Sequence, residues 1–225
     1  WFPVSDVPVA VWAESEGAGD DVRLEFSPDI SAEVQAKKGL KRNAKLWEAL
    51  DALIMAVRDG QLVYGMLAVA PDSSGTVRED LAKDLERIGQ GRHDNLSGIG
   101  TELLKRLQGR GGAWEQACQR VGICVVNALK VNEADIKAAK ESLRWVCADD
   151  RQADAAWNAL YVDAVQLIQQ RGRWTMDHLL RLLQRDGITI RDADFPASIA
   201  SKLANWVCLI SNSFALPVVR KRLLL

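Results

Sequence analysis

Asp21, Gln35 and Lys37 are the residues whose types and spacing suit a shared chemistry. Cutting a phosphodiester with a metal requires a carboxylate to hold the cation, a second oxygen ligand, and a cation or base near the attacking water. An aspartate at the head of one extended segment and a Gln-x-Lys in the next supply those types. Asp21 is preferred to Asp20 because it opens the polar face of its segment. Glu14 is a further acid, with Glu16 as its rival. The bland alternative is that alternating polar residues on a hairpin face water. Lys37, Lys38, Lys41, Arg42 and Lys45 follow at once; such a run suits a phosphate backbone, or forms a solvated face.

The elements that must position these residues can be read from periodicity. VPVAVWAESE alternates and is rich in Val, so it reads as a strand that breaks at a Gly-rich turn. In DDVRLEF, Val22, Leu24 and Phe26 share one face and Asp21, Arg23 and Glu25 the other; in AEVQAKK, Ala32, Val34 and Ala36 oppose Glu33, Gln35 and Lys37. Only SPDIS separates the two runs, which predicts an antiparallel pair with one buried face each. From Asn43 to Asp59 the period becomes helical and stops at Gly60. Tyr64 to Ala70 is a continuous apolar run, as in a strand covered on both faces and reached by a helical crossover. Helices are expected over Val77–Gly89 and Leu96–Leu107, then one more strand in VGICVVNAL, then helices over 133–148, 153–170 and 175–186. The predicted class is α/β: a mixed sheet flanked by helices over residues 1–110, then a mainly α-helical connector over 111–225, with the break at the glycines near residue 110.

The stretch GDDVRLEFSPDISAEVQAKKG, with the helix AKLWEALDALI and the strand YGMLAVAPDSS, resembles the PD-(D/E)xK double-stranded-DNA nuclease domains at the front of bacterial antiphage STAND-type NTPases. In these a QxK commonly replaces the (D/E)xK. The resemblance covers roughly residues 1–110 and implies a restriction-endonuclease-like fold. It places Asp21 at the metal-binding aspartate and Gln35 and Lys37 at the QxK positions, and it matches Glu14 loosely to the preceding glutamate. It further implies Mg²⁺ or Mn²⁺ at Asp21 and Gln35, double-stranded DNA as substrate, downstream NTPase and sensor domains in the same polypeptide, and a homo-oligomer when active. Two features depart from the family. The helix that usually precedes the first strand is not included, and no GxxxxGK[ST] occurs, so ATP binding is not assigned to these residues. The reading from a different class is a catalytically inactive nuclease fold that binds or relays a signal.

Other candidates are weaker. Neither His93 nor His178 has an evident acid partner in the sequence, and Ser73 and Ser74 lack a GxSxG context, so a hydrolase triad is not supported. The two serines suit a cleft lining or a cap for the helix near Val77. RGRWTMDHLLRLLQRDGI, with Thr175 as a cap, suits a helix-turn-helix or a packed connector. Trp145, Trp157, Trp174 and Trp206 occupy helical apolar positions, as core residues do.

Composition sets the outer limits. With 225 residues and a net charge of -1, the chain cannot bind nucleic acid by bulk positive charge, so any contact must be local. Cys118, Cys124, Cys147 and Cys208 form no CxxC pair, which points away from zinc and disulfide frameworks and toward a reducing cytoplasm. No apolar run is long enough to span a bilayer. The start at Trp1 and the apolar end at Leu223, Leu224 and Leu225 read as a segment of a longer polypeptide.

Overall fold

The computed structural model describes residues 9–13, 21–110, 114–126, 133–144 and 147–190. Its strands are β1 (Ala10–Ala13), β2 (Val22–Ser27), β3 (Ile30–Lys37), β4 (Tyr64–Val69), β5 (Val121–Val125) and β6 (Arg173–Thr175). They form a six-stranded sheet in the order β5-β4-β3-β2-β1-β6. The β3–β4 and β4–β5 pairs are parallel and β1–β6 is antiparallel, so the sheet is mixed. Helices flank it, as an α/β chain requires. No helix among the described residues is long and apolar enough to cross a membrane.

The chain divides into two compact units, one of which includes residues 28–127. In it, α1 (Ala44–Arg58) is the crossover between parallel β3 and β4. Asn43 starts the helix by accepting from Leu46 N–H at 3.3 Å, satisfying one of the donors a helix start leaves open. Its apolar stripe, Leu46, Leu50, Leu53, Ile54 and Val57, is buried. Gly65 on β4 allows that packing, since a Cβ there would lie 3.2 Å from Leu53 Cβ. A π-helical turn (Thr76–Leu81) runs into α2 (Ala82–Gly89), followed by α3 (Gly98–Gln108) and α4 (Trp114–Gln119). Their Leu81, Leu85, Ile88, Leu103 and Ala117 join Leu67, Val69 and α1 in one core. Asp84 ties α2 to the start of α3 by accepting from Ser97 N–H at 3.0 Å, while Ser97 caps α3. The other unit holds β1, β6, α5 (Glu133–Arg144), α6 (Asp150–Gln170) and α7 (Met176–Arg185).

One expectation is corrected. The chain does not leave the first unit at residue 110, because α4 packs on α2 and β5 pairs with β4; the division comes after Asn127. The later described residues are mainly helical, as expected, with one short strand, Arg173–Thr175, that registers Trp174 against Val11.

Gly89→Ala gives a direct check of this packing. Its Cβ would meet Gln119 backbone N at 2.7 Å, a contact no side-chain rotation relieves. The substitution should cost about 1–3 kcal/mol, read as a lower urea midpoint at unchanged slope.

Candidate active site

β3 decides the geometry. In the parallel register Glu33, Gln35 and Lys37 lie opposite Gly65, Leu67 and Val69, and paired residues of parallel strands share a face. That face is the one α1 covers, since Leu67 and Val69 belong to its core. Ser31, Ala32, Glu33 and Val34 are all buried. The expectation of one wet polar face on β3 therefore fails for its first half, and Glu33 is only 1% exposed. Lys37 emerges at the strand's end, its side chain 33% exposed.

Asp21 sits just before β2 and reaches across to β3. Its Oδ2 accepts from Ala36 N–H at 2.6 Å and lies 3.7 Å from Lys37 Nζ. The bond to the backbone is charge-assisted and fixes the carboxylate beside the strand. Asp21 and Lys37 are thus brought into contact, and Gln35 lies on the Lys37 face with Oε1 buried. Glu14, its rival Glu16, and Asp20 lie outside the described residues, as do Trp145, Trp206 and Cys208.

One pair was not singled out from the sequence. Arg23 Nη1 lies 3.6 Å from the buried Glu33 Oε1, two residues along β3 from Gln35. The signal was present in the alternation Glu-x-Gln-x-Lys, but alternation alone does not say which face is covered.

The serines turn out to hold the loop that follows β3. Ser73 Oγ accepts from Leu40 N–H at 3.0 Å, and Asp72 Oδ1 accepts from Gly39 N–H at 3.0 Å. No side chain caps the turn starting at Thr76, so the capping expectation for Ser73 and Ser74 is corrected. Thr175 does cap α7, accepting from His178 N–H at 3.1 Å. Both histidines have acid partners that the sequence did not reveal. His178 Nε2 is 2.8 Å from Asp163 Oδ2, which also accepts from Trp174 Nε1–H, and His93 is 3.5 Å from Glu115 and stacked on Trp114. These contacts fasten elements together. Trp157 and Trp174 are core residues.

Burial pushes the Cys118 and Cys124 thiols up to about 12, so neither supplies a thiolate near neutrality. No group of three or more His, Cys, Asp or Glu side chains able to hold a metal occurs among the described residues. The donors at Asp21 and Gln35 are oxygens, which fit a hard divalent cation that keeps several waters and shares phosphate oxygens. The chain matches no family model, no characterised protein and no solved structure.

The two ion pairs should differ in weight. Lys37→Ala removes a one-third-exposed pair and should cost less than about 1 kcal/mol. Arg23→Ala removes a cation beside the buried Glu33 carboxylate and should cost about 1–3 kcal/mol. Urea unfolding of both variants measures the contrast.

Proposed function

We propose that this chain carries the metal-dependent DNA endonuclease domain of a larger cytoplasmic bacterial defence NTPase. The observation that carries the reading is the contact between Asp21 and Lys37 at 3.7 Å, with Gln35 on the same face of β3 as Lys37. Asp21 and Lys37 meet at the end of β3 and Gln35 lies two residues back along the same face; an acid, an amide oxygen and an ammonium are the types that hydrolysis of a phosphodiester by a metal-held water requires. Glu14 is assigned as an accessory acid on the resemblance alone.

Asp21 and the amide oxygen of Gln35 would hold Mg²⁺ or Mn²⁺, which would supply polarisation of the phosphate and a bound water of lowered pKa. Lys37 places its ammonium where negative charge develops on the phosphate oxygens. The water oxygen bonds to phosphorus and gives up a proton to solvent, the bond to the leaving sugar oxygen breaks, and that oxygen takes up a proton from solvent. Double-stranded DNA is the substrate. The downstream NTPase and sensor domains control activity, and a homo-oligomer brings two sites together.

The reading from a different class is a catalytically inactive nuclease fold that binds or relays a signal. Activity decides between them. The intact polypeptide, once activated, should degrade double-stranded DNA with Mg²⁺ or Mn²⁺ and stop in EDTA. Lys37→Ala and Asp21→Ala should each lower the cutting rate by roughly 100-fold or more. A Lys37 variant that cuts as well as the parent removes the enzyme reading and leaves the binding module.

A further inference from the structure

The segment after β3 is a fixed cationic surface. From residue 34 to residue 47 there is no acidic side chain, while Lys38, Lys41, Arg42 and Lys45 are all exposed. Arg42 is held by Glu102 of α3, with Nε 2.6 Å from Oε2. Lys38, Lys41 and Lys45 make no ion pair among the described residues. An ordinary lysine-rich loop would sample many shapes, but this one is pinned at several points. Gly39, at φ +60, turns the chain and donates to Asp72, Leu40 donates to Ser73, and Leu40 O accepts from Ser74 N–H at 2.9 Å. Lys37 O accepts from Ala70 N–H at 3.0 Å, so the loops after the parallel strands β3 and β4 are joined from their first residue. The carboxyl ends of parallel strands are where open α/β sheets place their ligands.

We propose that Lys38, Lys41 and Lys45 form a preset platform for the phosphate backbone of a nucleic-acid duplex, contiguous with Lys37 at the site proposed above, on which reading this rests. The chemistry of the surface selects that partner. Lysines are point charges that grip phosphate without reading bases. None of the large exposed apolar residues lies in this segment, so it lacks the anchors a protein interface uses. The near-neutral net charge means that this local cluster, not the whole chain, holds the polyanion. Contact is therefore independent of sequence and steep in salt.

The test is anisotropy of a labelled DNA duplex titrated with the chain in EDTA, so that cutting cannot intervene, across a series of salt concentrations. The variant Lys38→Gln/Lys41→Gln/Lys45→Gln should bind roughly 10- to 100-fold more weakly near 0.1 M salt and lose about 2–3 units of the log–log salt slope. The control Lys83→Gln/Lys105→Gln/Lys137→Gln removes the same charge from other exposed positions and should bind like the parent. Ser73→Ala changes no charge but releases Leu40 N–H, and should weaken binding several-fold in a chain whose circular dichroism is unchanged. Equal affinity for the parent and the first variant, equal losses in the first variant and the control, or displacement of the duplex by poly-glutamate as readily as by unlabelled DNA overturns the platform. Binding that follows the platform in a parent that never cuts supports the platform while removing the nuclease reading, so the two fail separately.

Discussion

A strand covered on both faces has to pair every polar side chain it carries, and β3 carries Glu33, Gln35 and Lys37 along one face. Glu33 is met by Arg23, Lys37 by Asp21, and the Asp21 carboxylate is itself held by the backbone of Ala36. These are constraints of burial first. A carboxylate left without its cation under α1 would cost about 1–3 kcal/mol. The gradient along the strand matters: burial is nearly complete at Glu33 and relaxes to one-third exposure at Lys37. The same face thus passes from a structural ion pair to an ammonium and a carboxylate that solvent and solutes can reach.

The parallel crossover β3-α1-β4 then sets what surrounds that end. Because β3 and β4 run the same way, their following loops emerge side by side, and Asp72 and Ser73 fasten one to the other. The hydrogen bonds that shape the basic segment come from residues 33 positions away. Stability and geometry are joined here, since loosening the β4 loop would also release the segment next to Lys37.

Long periodic elements could be read from the sequence because their patterns report burial directly. The stripe of α1 and the continuous apolar run of β4 fall within a residue or two of their expected bounds. The strand Arg173–Thr175 could not be read, since three residues carry no period and pairing with β1 defines it. The glycines near residue 110 gave the wrong division because a turn signal does not tell whether the chain turns back onto the same core, as α4 and β5 do. At the site, the residue types and the shared face of Gln35 and Lys37 followed from a period of two. The cover over Glu33 did not, because it depends on the central place of β3 in the sheet. Asp163 as a partner of His178 was hidden for a related reason, the two lying on different helices.

The central proposal is that Asp21 and Gln35 would hold a divalent cation beside Lys37. Binding of Mn²⁺ to the chain, followed by electron paramagnetic resonance of the free ion, tests this without relying on catalysis. The account predicts saturable Mn²⁺ binding that is weakened at least about 10-fold by Asp21→Ala and is displaced by excess Mg²⁺. Mn²⁺ binding that is absent, or that is unchanged in the Asp21 variant, would contradict it.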